Sequence, residues 1–140
     1  MALTLNGVKK VLEAAHVKAS EIGVKVSIAV VDARGDLLGL YRMDGARWGT
    51  ANFSQGKAFA SATYGQPSGA LSERANQPIM QSALLQSGGR FVFHQGAMPI
   101  KEGDITIGAC GVGGATSQQD EDIAVVGIAA LGYNRDGSQL

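Results

Sequence analysis

What this chain has little of narrows its chemistry before any motif is considered. A single cysteine, Cys110, stands among 140 residues, so no internal disulfide can form. Cysteine used this way leans towards a reducing compartment, and the cytoplasm is the expected location, with export after removal of a leader left open. Two histidines, His16 and His94, are too few for a closed structural zinc site, and no paired-histidine helix motif occurs. Neither charge is in excess: Lys plus Arg number 12 and Asp plus Glu number 12. Without a basic surplus to neutralise phosphate backbones or anionic lipid, no nucleic-acid or membrane partner is expected. Lys9, Lys10, Glu13 and His16 interrupt the apolar positions of residues 1–20, which excludes a signal-peptide core or a membrane span there. No Gly-x-Ser-x-Gly elbow is present, and the glycine-rich loop near residue 113 lacks the lysine followed directly by serine or threonine that a phosphate-binding loop carries. A serine-triad hydrolase of that type and a nucleoside triphosphate site are therefore unsupported. Charged residues are 17% against 45% hydrophobic, a lean polar supply that predicts burial against copies of itself, hence a homo-oligomer.

What is present reads as one domain over residues 1–140, long enough for one core. After Thr4, a good N-cap, apolar residues at Leu5, Val8, Leu12, Ala15, Ala19 and Ile22 trace a helical stripe that Gly23 ends. The β-branched run from Val24 to Val31, the turn Asp32-Ala33-Arg34-Gly35 and the return from Leu37 to Arg42 predict a hairpin. Trp48 to Tyr64, dominated by small residues, predicts a helix, and Gly49 and Gly56 within it predict a close backbone approach to the sheet or another subunit. Residues 70–77 are ambiguous, and Pro78 suits the first turn of a short helix. Phe91-Val92-Phe93 reads as a strand, and a hairpin turning at Glu102-Gly103-Asp104 leads into Ile105 to Val112. Ser117 and Asp120 read as a capping box for the last helix. Hairpin-linked strands between terminal helices predict an α+β fold with an antiparallel sheet and helical layers.

Val26-Ser27-Ile28-Ala29-Val30-Val31-Asp32, Leu37-Leu38 and Arg42-Met43-Asp44-Gly45-Ala46 resemble the opening of the GlcG/HbpS-like family, to which the C-terminal domain of PduO-type proteins is similar. Lys57-Ala58, Gly88-Gly89-Arg90, Pro99-Ile100, Gly108, Gly111-Val112-Gly113-Gly114 and Gln119-Asp120-Glu121 continue the pattern in the family's order. Two positions depart: Gly96-Ala97-Met98-Pro99 stands where the family usually reads Gly-Gly-Val-Pro, and Gly113 stands where it usually has serine. The resemblance implies a profilin-like three-layer sandwich, an antiparallel sheet of about five strands flanked by helices, assembled into dimers or larger rings. It further implies heme as a candidate cofactor, since several relatives bind it while others sit in catabolic operons.

Candidate site residues follow from chemistry and from that resemblance. His16 flanks the first-helix stripe and is either a half-exposed surface histidine or, as PduO-like relatives imply, a heme iron ligand. His94, beside Phe91 and Phe93, is the alternative iron ligand, with the two rings either lining a flat slot or packing as core. Gly113 and Gly114 lead into a helix and could present backbone amides to a carboxylate, or simply form a tight turn. Lys57 and Arg90 could hold an anionic ligand or belong to ordinary ion pairs, and Met98 adds bulk beside the expected pocket. Three functions compete: binding of heme or a related tetrapyrrole, acid-base catalysis on a carboxylate metabolite, and a non-catalytic assembly or regulatory role. No catalytic spacing among Asp32, Asp44, Glu73 and Asp120 chooses between them.

Overall fold

The computed structural model describes residues 2–140. The first helix, α1 (Leu5–Glu21), begins where Thr4 Oγ1 accepts the Gly7 N–H at 3.1 Å and ends before Gly23, whose φ of +75° suits a residue with no Cβ. A hairpin follows, β1 (Ser27–Asp32) and β2 (Leu37–Arg42), then helices α2 (Thr50–Tyr64), α3 (Ser68–Ser72) and α4 (Pro78–Gln86). A second hairpin, β3 (Ala97–Glu102) and β4 (Ile105–Gly113), leads into α5 (Ser117–Ala129). The strands form one antiparallel sheet in the order β2-β1-β4-β3.

Alternation along the central strands sorts the two faces of this sheet. Val26, Ile28, Val30, Cys110 and Val112 point to one side and close the main core with Val8, Val11 and Leu12 of α1 and Ile123 and Ile128 of α5. Each of these larger side chains is worth about 1.5–3 kcal/mol for its removal from water. On the other side Val31 and Ala109 meet Ala58 and Ala62 of α2. That face is made of small residues because α2 lies almost on the strands. A Cβ at Gly111 would collide with the Ser54 carbonyl oxygen and lie 2.8 Å from the Ala58 nitrogen.

The outer side of α2 carries a third, smaller core in which Ala60, Leu71, Met80 and Phe91 are buried. Here the expected strand over Phe91-Val92-Phe93 is absent, and the sheet has four strands instead of about five. The segment crosses α2 as irregular chain, and the Val92 N–H donates to the Gly56 carbonyl at 3.1 Å. Its backbone is thus satisfied by a helix and not by a neighbouring strand. Gly56 makes the crossing fit, since a Cβ there would strike Val92 and stand 3.0 Å from the Arg90 carbonyl. Gly49 has no such neighbour; it is the N-cap, and α2 starts two residues later than Trp48.

The cap of α5 is also displaced by one residue from the expected Ser117 and Asp120. Thr116 Oγ1 accepts the Gln119 N–H at 3.2 Å, and Gln119 Oε1 accepts the Thr116 N–H at 3.1 Å. After α5 the chain turns back, with Tyr133 bridging Gln139, and the Lys101 N–H on β3 donates to the Gly137 carbonyl at 2.9 Å. No helix among the described residues is long and apolar enough to cross a membrane.

Candidate functional site

The one-residue shift of the cap leaves Asp120 free of capping duty towards its own helix and turns it inward. It starts the stripe Asp120, Ile123, Ala124, Gly127, Ile128, all buried, at the spacing of a helix face. Only 2% of Asp120 is exposed, and Lys57 of α2 is equally hidden at 3%. The lysine reaches past Gly96, donating from Nζ to the Val112 carbonyl at 3.0 Å and to Asp120 Oδ2 at 3.1 Å. Gly96, at φ +144°, leaves the path open, for a Cβ there would lie 2.8 Å from Nζ. Asp120 Oδ1 accepts the Ala115 N–H at 3.0 Å, which fixes the loop before α5. Burial pushes the Asp120 carboxyl above its ordinary range, opposed by the neighbouring Lys57 charge and the Ala115 hydrogen bond.

This buried pair lines a cleft of about 560 Å³ between the start of α2 and the start of α5. Trp48 and Phe53, exposed by 79% and 60%, supply its apolar side. Arg47, Asn52, His94 and Ser117 supply polar groups, and Gly113 and Gly114 part of the lining. The volume is within the usual span for small-molecule sites. Lys57, His94, Gly113 and Gly114, four of the residues singled out in the sequence, thus meet at one place.

His16 lies elsewhere, in a shallow groove of about 520 Å³ formed by α1 and the end of β2 with Glu13, Leu40, Tyr41, Arg42, Met43 and Asp44. Its ring is half-buried and meets the Tyr41 ring edge-on, centroids 5.9 Å apart. Neither ring nitrogen has a hydrogen-bond partner among the described residues. Arg42 is part-engaged, its Nε and Nη2 donating to the Ala46 carbonyl at 3.3 and 3.2 Å. Among the described residues no group of three or more His, Cys, Asp and Glu side chains could hold a metal ion.

Residues 3–129 match the family described as haem degrading protein HbpS-like. The chain belongs to the HbpS-like family. An uncharacterized 15.0 kDa protein from the dhaT-dhaS intergenic region of Citrobacter freundii is 34% identical over 124 residues, 87% of either chain. The corrinoid adenosyltransferase PduO of the same organism is 29% identical over 94% of this chain, which spans only 39% of PduO. Among solved structures, a double mutant of Streptomyces reticuli HbpS aligns with a TM-score of 0.84 at 31% identity, covering 95% of this chain and 89% of that one. A complex of PduOC with heme aligns with a TM-score of 0.83 at 27% identity, covering 93% and 95%. An antiparallel sheet between helical layers is thus the shared architecture.

The remaining candidates of this HbpS-like chain are placed away from both depressions. Phe91 and Phe93 stack at 5.0 Å and Phe91 meets Phe59 at 4.5 Å, inside the small core beyond α2. The Arg90 guanidinium lies 3.8 Å over the Phe59 ring and donates to the Gly35 carbonyl at 3.2 Å, pinning that core to the first hairpin. Met98 is 4% exposed and belongs to the main core facing α1 and α5. Burial pushes the Cys110 thiol up to about 12, so it is an inert core group at physiological pH. Sequence reasoning missed Arg47, Trp48 and Phe53 and took Asp120 for a cap. The inward stripe that Asp120 begins was the available signal for the last of these.

Proposed function

We propose that this HbpS-like chain binds heme or a related tetrapyrrole and that His16 supplies the iron ligand. Family membership and the heme complex of the PduOC neighbour support the ligand class. The observation that carries the residue is the state of its imidazole: half-buried, steadied by Tyr41 and without a hydrogen-bond partner among the described residues. A neutral imidazole nitrogen in that condition is a good axial donor to iron. The groove fits a flat ligand laid on one side, with Leu40, Tyr41 and Met43 as apolar surface. Glu13 and Asp44 would repel the propionates, which leaves Arg42 as their partner through the N–H groups it does not spend on Ala46. Bound there, heme would supply a redox-active iron. Self-association belongs to the same proposal, because Leu5 and Val17 on α1, Ile79 and Leu85 on α4 and Ile105 on β4 are large apolar side chains left exposed.

Titration of the purified protein with hemin, followed at the Soret band, tests the reading. A saturable shift is expected for the natural chain and for His94→Ala, and its loss in His16→Ala. Absence of any saturable shift with the natural chain refutes heme binding. Loss in His94→Ala alone would move the iron to the cleft.

A further inference from the structure

We infer that the cleft between α2 and α5 is a second ligand site, separate from the His16 groove, and that it takes a small singly charged carboxylate with a planar apolar body. The floor carries the argument. Lys57 is 3% exposed yet carries three N–H donors, of which the Val112 carbonyl and Asp120 Oδ2 take two. The third has no acceptor among the described residues, at the wall of a cavity of about 560 Å³. A buried ion pair costs desolvation that apolar residues of the same volume would avoid, so core packing does not require one here. An acceptor oxygen in the cleft would complete the ammonium's hydrogen bonds.

The other lining groups define that acceptor's molecule. Lys57 and Asp120 cancel in charge, and Arg47 leaves one positive charge beside them, which matches a monoanion and disfavours a dianion facing the Asp120 carboxylate. The Asn52 amide and the Ser117 hydroxyl also line the space without a partner among the described residues. Trp48 and Phe53 expose flat apolar surface on the same cleft, and such rings bind a planar body with little ordering cost. Trp48 is the chain's one tryptophan, so the site reports on itself.

The test is a titration of the full chain with benzoate, followed by tryptophan fluorescence, beside benzamide, acetate and inorganic phosphate. A saturable change with benzoate is expected, with none from benzamide, which lacks the charge, and a far weaker one from acetate, which lacks the ring. Arg47→Ala, at an exposed position, is expected to bind benzoate about tenfold more weakly. Lys57→Met alone would strand a buried carboxylate, so the floor is tested with the Lys57→Met/Asp120→Leu pair, expected to keep the far-UV spectrum and lose the response. His16→Ala is expected to respond as the natural chain does, which keeps this outcome independent of heme binding. The inference fails if benzoate gives no saturable change, if benzamide or phosphate matches it, or if both cleft variants respond normally. Displacement of benzoate by hemin in His16→Ala would equally overturn it, by making the cleft the tetrapyrrole site.

Discussion

Two glycines on one strand, two residues apart, are expected to tolerate a side chain very differently. Gly111 and Gly113 both face α2 from β4, an interior strand between β1 and β3, so the strand cannot retreat from an added atom. At Gly111 a Cβ would overlap the Ser54 carbonyl oxygen and approach the Ala58 nitrogen and Cβ to 2.8 and 2.9 Å, atoms fixed by the helix backbone. At Gly113 the nearest atoms are the Thr50 oxygen at 3.2 Å, the Ser54 nitrogen at 3.4 Å and Phe53 Cβ at 3.5 Å, which a shift of a few tenths of an ångström relieves. Overpacking of a fixed interior costs about 1–3 kcal/mol, and Gly111→Ala belongs at the upper end, about 3 kcal/mol, with Gly113→Ser at or below about 1 kcal/mol. For a chain of this size those costs correspond to losses of roughly 10 °C and roughly 3 °C in Tm. Thermal unfolding followed by circular dichroism measures both, with Gly49→Ala, which meets nothing within 4 Å, as the reference substitution. If Gly111→Ala melts with the natural chain, α2 is not seated on β4 as described.

Cys110 is expected to resist thiol reagents in the folded protein at mildly alkaline pH, because it is fully buried and its thiol is pushed up to about 12; rapid stoichiometric labelling with the far-UV spectrum intact would contradict this. Arg135 holds Asp122 Oδ1 at 2.8 Å and Glu121 Oε2 at 3.2 Å, and that hydrogen bond draws the Asp122 carboxyl below its ordinary range. A depressed folded-state value means stabilisation present above the ordinary carboxylate pKa and lost as pH falls through the depressed one. Arg135→Ala should therefore be less stable than the natural chain at neutral pH by about 0.5 kcal/mol, as befits a half-exposed pair, and equal to it in strong acid. A denaturant-unfolding gap that persists unchanged in acid would exclude the ion pair as its cause.

How much of this was legible in the sequence depended on whether the deciding contact was local. Thr4, Gly23 and the turns at Asp32 to Gly35 and Glu102 to Asp104 act through their own few residues, and the elements they bound formed close to where the pattern placed them, β1 starting at Ser27 and not at Val24. Phe91-Val92-Phe93 has strand periodicity, yet its backbone partner is the Gly56 carbonyl on a helix far away in sequence, which no local pattern reveals. Asp120 was ambiguous because two adjacent hydroxyl residues could cap the helix, Ser117 three positions before Asp120 and Thr116 three positions before Gln119, and the choice of Thr116 decided whether the carboxylate capped the helix or faced the core. The placement of His16 and Lys57 in different depressions follows from α1 and α2 covering opposite faces of the sheet. Only the assembled layers fix that separation.

The bond from Lys101 to Gly137 gives the two borders of the sheet unequal fates. A border strand offers unpaired amides and carbonyls to any passing chain, and the usual safeguard is to cover or interrupt them. The returning C-terminal segment does this along β3, lying so close that a Cβ at Gly137 would overlap the Pro99 carbonyl oxygen. Among the described residues nothing comparable is bonded to the outer side of β2, where Leu37 and Leu38 are exposed. Growth of the sheet by a further strand, whether from a partner or in misfolded aggregates, therefore has one direction open to it, through β2.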